Sequence, residues 1–289
     1  MLFKNNTYLL VCLALFIGLI NIQCSENEMT DDTYFGSKVM ILGHRGMGVY
    51  YRIPGDTYES IEPAIGIGSD GCEIDLQLTK DSVLVLYHNP ELNSSTTCTG
   101  RIYESNFKEI KECKYIGLEN MVFVCSIDEV FSKLPNIENY YFSFDCKIDD
   151  QVSDHQLYIS QFIRAIKRLC DKFNMSDNVF IEGNTYFLNI VKSMGLTNKL
   201  FLSGTVDEST IEIADSNSYF GIVTQIVDNS VETKTDLAHS KGLYIMGYSP
   251  YNYYQNTSAI RKKVDILQTD DPISILKLFH RFNYEYVIP

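Results

Sequence analysis

Between residues 71 and 79 apolar and polar positions alternate with a period of two, the pattern of a strand whose successive side chains point to opposite sides. Cys72, Ile74, Leu76 and Leu78 share one side, and Gly71, Glu73, Asp75 and Gln77 share the other. Short apolar runs at 39–42, 140–146, 178–181, 199–202, 219–224, 243–246 and 264–268 predict further strands, and 83–87 continues from the second as an extended segment. Between them, helical spacing predicts helices at 57–68, 154–173, 186–194, 207–217, 230–241, 257–262 and 272–282. Pro63 falls inside the first of these and disturbs its middle unless the helix starts late. Eight strands, each followed by a helical or inserted segment, fit an α/β chain folded as a (β/α)8 barrel, with a small insertion after the second strand at about 90–125. A doubly wound open sheet is the alternative, but no Gly-rich phosphate loop follows the first strand.

The first residues break this alternation. Lys4 is the only charge before Cys24, and residues 8–20 are almost wholly apolar, the length of a signal-peptide core and short for a membrane span. No A-x-A cleavage site closes the run; it passes instead through Asn21-Ile22-Gln23 into Cys24. A cysteine there resembles the lipidation site of bacterial lipoproteins, although Gln23 is unusual before it. The expectation is an exported chain: residues 1–24 a signal with Cys24 lipidated, 25–36 an acidic tether, 37–289 the barrel. That makes a periplasmic or cell-surface lipoprotein, with plain secretion as the alternative.

Composition narrows the function. The 289 residues carry 24 basic and 37 acidic side chains, a net charge of −13, which argues against a nucleic-acid partner. A phosphate-bearing substrate stays open, because a bound cation and a few local cations reverse the sign within one cleft. Six cysteines follow Cys24. Cys72 and Cys146 sit on apolar strand faces as buried thiols, whereas Cys98 and Cys113 flank the irregular insertion and are paired here as a disulfide. No Cys/His spacing suggests zinc.

The chemistry collects at predicted strand ends, where barrels of this kind keep it. The first strand ends in His44-Arg45, the second carries Glu73 and Asp75, and the extended segment after it ends in His88. In the next strand, Tyr141, Ser143, Asp145 and Lys147 alternate with Phe142, Phe144, Cys146 and Ile148, so Asp145 and Lys147 repeat the polar pair of the second strand. One E-x-D on a strand is ordinarily a pair of surface acids. Two such pairs with two strand-end histidines make a divalent-cation site, since adjacent carboxylates are costly without a neutralising ion. Glu182 and Tyr248 are candidate cleft residues, each with a plain loop or rim role as the alternative. His155, His239 and His280 fall on predicted helices and read as surface residues, and Asp81 reads as a turn former.

These residues carry a resemblance. His44-Arg45-Gly46, then Gly71, Glu73, Asp75, Thr79 and Asp81, then His88 after Val83-Leu84-Val85-Leu86-Tyr87, are similar to the glycerophosphodiester phosphodiesterases. Asp145-x-Lys147 stands where that family has E-x-K, and Thr269-Asp270-Asp271-Pro272 where it has T-D-x-P. The resemblance implies metal-dependent hydrolysis of a glycerophosphodiester to an alcohol and glycerol 3-phosphate. Glu73, Asp75 and Asp145 would hold one Mg²⁺ or Ca²⁺, Arg45 and Lys147 would face the phosphate, and His44 and His88 would be the acid/base pair. A phosphoinositide phospholipase C-like enzyme forming a cyclic phosphate, and a non-catalytic exported binding lipoprotein, are the other readings. The chain departs from the family at Asn89, where an Asp is usual, at Pro54-Gly55-Asp56-Thr57 in place of P-E-N-T, and at Gly247-Tyr248, near an expected Trp.

Overall fold

The alternation of residues 71–79 folds as predicted. In a computed structural model that describes residues 29–118, 121–226 and 234–289, Gly71–Leu78 is a strand buried along its whole length. The predicted signal core and Cys24 lie outside the described residues, as does the start of the helix expected at 230–241. Among the described residues nine strands run β1 (Met40–His44), β2 (Gly71–Leu78), β3 (Leu84–Leu86), β4 (Tyr141–Cys146), β5 (Val179–Gly183), β6 (Lys199–Ser203), β7 (Gly221–Gln225), β8 (Tyr244–Tyr248) and β9 (Ile266–Thr269). Helices α1 (Tyr58–Gly66), α2 (Phe107–Ile110), α3 (Ile127–Lys133), α4 (His155–Phe173), α5 (Thr185–Ser193), α6 (Glu208–Ser216), α7 (Thr235–Ser240), α8 (Tyr253–Arg261) and α9 (Pro272–Leu278) lie between and after them. All neighbouring pairs are parallel except β2 with β3, and β1 pairs with both β9 and β2. That double pairing closes the sheet, so the open-sheet alternative falls and the chain is a (β/α)8 barrel with one short antiparallel strand added to β2.

Two faces of the strands build two cores. Cys72, Ile74, Leu76 and Leu78 join Phe142, Phe144, Ile181 and the inner faces of α1, α3 and α4 in the layer between sheet and helices. Leu42, Phe180, Phe201, Val223, Met246 and Ile266 fill the barrel itself. Each such side chain contributes about 1.5–3 kcal/mol by leaving water. At Gly71 a Cβ would stand 1.7 Å from the Tyr141 carbonyl oxygen, so the close seam between β2 and β4 admits only glycine.

Several boundaries move for local reasons. α8 begins at Tyr253 rather than 257 because the Asn252 side chain accepts the Gln255 N–H at 3.0 Å and caps it. α9 stops at Leu278, and His280 beyond it has a left-handed backbone (φ 55°). α1 keeps Pro63 inside it, buried against the core. His239 corrects the surface reading: it is buried in α7, with Nε2 2.9 Å from Asp265 Oδ2 and Tyr34 stacked on its ring. Its partner lies 26 residues away, beyond the reach of helical spacing. The segment read as a tether is already packed by Asp32, which bridges to Lys38, and Phe35 stacks on Tyr244 with ring centroids 4.1 Å apart, at the N-terminal end of β8.

The insertion has its own small core of Val85, Tyr87, Leu92, Ile102, Ile110, Tyr115, Val122 and Val124. A Cys98–Cys113 disulfide closes it, while Cys72 and Cys146 are free thiols, the first buried and the second partly so. Replacing Cys98 and Cys113 together by Ala is expected to cost about 3 kcal/mol, the figure for a loop of about 15 residues. Urea denaturation of the oxidised parent and the double variant measures this; coincident midpoints would show that the apolar cluster alone holds the segment.

Candidate active site

Strand register brings the site together. His44 of β1 lies beside Glu73 of β2, Asp75 lies beside Asp145 of β4, and Asp145 lies beside Glu182 of β5. One carboxylate oxygen each from Glu73, Asp75 and Asp145 falls within 4.8 Å of the others. Ionised together, Glu73 and Asp75 at such a separation repel by roughly 3 kcal/mol at an effective dielectric of about 20. Burial, and then the nearby Asp75, Asp56, Glu182 and Asp145, hold the Glu73 carboxyl well above the ordinary range. Asp75 goes the other way: burial opposes its charge, but Lys147 and Arg45 outweigh it and keep the carboxylate ionised. Lys147 Nζ is 2.9 Å from Asp75 Oδ1 and also pairs with Asp145, which leaves its ammonium firmly protonated. Arg45 Nε is 2.8 Å from Asp75 Oδ2, yet the approach is misdirected and neither atom makes a hydrogen bond. A buried oxygen without a donor, inside a cluster of three acids, fits a hard cation.

The turn after β1 sets the first histidine. Arg45 adopts a left-handed backbone (φ 53°), and Gly46 follows at φ 96°, where a Cβ would lie 2.5 Å from the Ser60 carbonyl group. The Arg45 N–H therefore points inward and donates to Glu73 Oε2 at 3.0 Å. His44 Nδ1 meets Asp270 Oδ1 at 2.7 Å, and its Nε2 lies 3.6 Å from Glu73 Oε2. His88, at the end of the extension past β3, has Nδ1 2.8 Å from Asn89 Oδ1. Both rings line one cavity of about 730 Å³ with Arg45, Glu73, Asp145, Lys147, Glu182 and Tyr248. Glu182 is a buried strand residue: its Oε1 accepts from Ser143 and Gln268, and burial, with the Asp145 charge, pushes its pKa up to about 7.

The stretch of sequence that carries this cavity matches a known family. The sequence profile of the glycerophosphoryl diester phosphodiesterase family fits residues 44–274, from the first histidine into α9. The chain belongs to that family. Its sequence is 24% identical over 261 residues to a glycerophosphodiester phosphodiesterase of Caldanaerobacter subterraneus subsp. tengcongensis, covering 84% of this chain and 99% of that one. Among solved structures, a glycerophosphoryl diester phosphodiesterase of Silicibacter pomeroyi superposes with a TM-score of 0.74 at 16% identity, covering 84% of this chain and 93% of the other. An Oleispira antarctica phosphodiesterase in complex with the product sn-glycerol-3-phosphate superposes with a TM-score of 0.70 at 14% identity, over 83% and 96% of the two chains. At these identities the superpositions speak for the fold.

Within this phosphodiesterase two of the three acids singled out in the sequence, Glu73 and Asp145, line one cavity with both histidines and both cations, and the third, Asp75, is buried with an oxygen within 4.8 Å of theirs. Four supporting residues were not assigned a role there. Asp56, in a left-handed backbone (φ 60°), accepts the Asp75 N–H at 2.9 Å, and burial first, then Asp75, raises its own carboxyl well above the ordinary range. Asp270 backs His44 and Asn89 backs His88, while buried Gln268 donates to Glu182. The signals for Asp56, Asp270 and Asn89 were their places in the P-G-D-T, T-D-x-P and H-N segments; Gln268 had none. Asp81, read as a turn former, takes the Thr79 hydroxyl at 2.6 Å and the Phe107 N–H at 2.9 Å.

Charge crowding at Glu73 makes a stability prediction. Its raised carboxyl costs nothing below about pH 4.3, where the unfolded chain is protonated too, and the cost grows as pH rises through the folded value. Metal-free E73Q is therefore expected to be more stable than the parent at pH 7.5, by about 1 kcal/mol or about 2–4 °C, with the gap closing towards pH 4. A divalent cation should stabilise the parent and raise E73Q less. Thermal midpoints with chelator and with added cation read both effects; equal midpoints for the two proteins under all conditions would contradict the account.

Proposed function

We propose that this phosphodiesterase hydrolyses glycerophosphodiesters to an alcohol and glycerol 3-phosphate, with Glu73, Asp75 and Asp145 holding one divalent cation. The observation that carries this reading is the convergence of those carboxylates on one another at the wall of a cavity that two histidines and two cationic side chains also line. An all-oxygen, acid-rich donor set suits Mg²⁺ or Ca²⁺ rather than a softer ion. When bound, the cation would supply charge neutralisation for the acids and a grip on a phosphate oxygen.

The side chains divide the remaining work. Arg45 and Lys147 border the acids and the cavity together, which suits them to oppose charge on the phosphoryl oxygens. His44 has Nδ1 occupied by Asp270, so its proton traffic with substrate runs through Nε2. His44 and His88 face one cavity, which suits one to take the nucleophile's proton and the other to protonate the leaving alcohol. The glycerophosphodiester, a small polar molecule, fits within about 730 Å³.

The proposal extends to location. The apolar run at 8–20 and Cys24 support export with a lipid anchor in the membrane, and the Cys98–Cys113 disulfide suits an oxidising compartment. A C24S chain that no longer fractionates with membranes would support anchoring; a parent that stays in the cytoplasm would end the idea.

Activity should vanish in chelator and return with added Mg²⁺ or Ca²⁺, assayed as glycerol 3-phosphate released from a panel of glycerophosphodiesters. H44A and H88A should each lose about 10²- to 10⁴-fold in kcat. Full activity of the E73A/D75A double variant, or a cyclic phosphate as the end product, would overturn the reading.

A further inference from the structure

The two histidines are backed differently. His44 Nδ1 faces a carboxylate, Asp270, whereas His88 Nδ1 faces a neutral amide, Asn89 Oδ1, at 2.8 Å. An amide could in principle turn either its oxygen or its NH₂ to the ring, and the two choices dictate opposite tautomers. The surrounding hydrogen bonds favour one of them. The other end of the Asn89 amide sits 2.7 Å from Ser94 Oγ. Ser94 has one hydroxyl proton; the Glu91 carbonyl oxygen at 2.8 Å is its nearer acceptor and the Tyr87 hydroxyl at 3.1 Å the other. With its proton on either of these, Ser94 Oγ accepts from Asn89, so the NH₂, which also lies 3.5 Å from Ser95 Oγ, points at Ser94 and the oxygen at His88. A carbonyl oxygen has no proton to give. His88 Nδ1 must then carry the hydrogen, and the neutral ring holds its bare lone pair on Nε2.

The backbone around His88 is held as firmly. Buried Gln77, on the polar face of β2, donates from Nε2 to the carbonyls of Tyr87 and Asn89, both at 2.7 Å, one on each side of the histidine. The Tyr87 hydroxyl lies 3.1 Å from Ser94 Oγ, and Ile116 N–H donates to the Ser95 carbonyl at 3.0 Å, so the segment bearing Ser94 is anchored in the disulfide-closed insertion.

We propose that Asn89 is the positioning residue of His88: relayed from Glu91 through Ser94, it selects the Nδ1–H tautomer and presents a proton-accepting Nε2 to the cavity. This rests on the reading of His88 as a proton-transfer group, and it assigns the insertion a task in catalysis beyond covering the barrel. Asn89 is not among the residues that line the cavity shared by the two histidine rings.

Nitrogen-15 NMR of the histidine rings tests the tautomer without any turnover. At a pH where His88 is neutral, Nε2 is expected to show the shift of a bare ring nitrogen in the parent, and N89A to show a mixture of both tautomers. Kinetically, N89A should lose about 10- to 100-fold in kcat, the usual effect of removing a residue that orients a functional histidine, with KM within about twofold. N89D keeps an acceptor-only atom towards the ring and should recover most of the loss, which a merely structural role would not produce. A bare Nδ1 in the parent, or N89A with unchanged kcat, overturns the proposal. Should the parent hydrolyse no glycerophosphodiester, the NMR result still stands for Asn89, and only the phosphodiesterase reading fails.

Discussion

Electrostatic repulsion among buried acids is the constraint around which this barrel mouth is built. Glu73 and Asp75 lie two residues apart on one buried strand, and the parallel register of β4 adds Asp145 alongside. Left alone, such a group would be a standing charge against a domain stability of about 5–15 kcal/mol. The chain answers in part with Lys147 and Arg45, both turned onto Asp75, and leaves the rest unresolved at Glu73 and at Asp75 Oδ2, which is beside Arg45 but receives no hydrogen bond. The unresolved part is what a bound cation would neutralise. A fully satisfied network would have no reason to bind one.

The apolar architecture exists to hold that arrangement in place. Barrel closure through β1, β2 and β9 brings His44 from the start of the chain and Asp270 from its end to 2.7 Å of each other. The left-handed backbones of Arg45 and Asp56 turn two backbone and side-chain groups inward onto the second strand, where the Arg45 N–H meets Glu73 and Asp56 meets the Asp75 N–H. Such conformations persist where packing over-determines them, and the glycine at 46 shows how little room is left. Positioning, rather than any unusual side chain, separates this site from an ordinary acidic strand.

The two histidines divide along the same line. One is supported from within the barrel by a carboxylate, the other from an insertion with its own core and disulfide. The insertion therefore packs beside the mouth, and its hydrogen bonds reach His88 through Asn89. The buried His239–Asp265 pair belongs to a different task, packing α7 and the Tyr34–Phe35 segment against the barrel near the N-terminal end of β8.

Much of this was legible in the chain itself. Period-two alternation at 71–79 and 140–146 settled which residues share a face, because strand geometry leaves a side chain only two directions, and it put Glu73, Asp75 and Asp145 on polar faces before any neighbour was known. The strand count and order pointed to the barrel, with closure left for the fold to show, and the H-R-G, E-x-D and second-histidine motifs pointed to the family. Helix ends were less legible where a side-chain cap such as Asn252 set them. What only the tertiary structure decided were contacts between residues far apart in sequence: Asp270 on His44, Gln268 on Glu182, Asp265 on His239. The same holds for Asp56 under Asp75 and for the direction of the Asn89 amide. Periodicity reports which way a residue faces, but the partner it meets is chosen by register and closure, which belong to the folded chain.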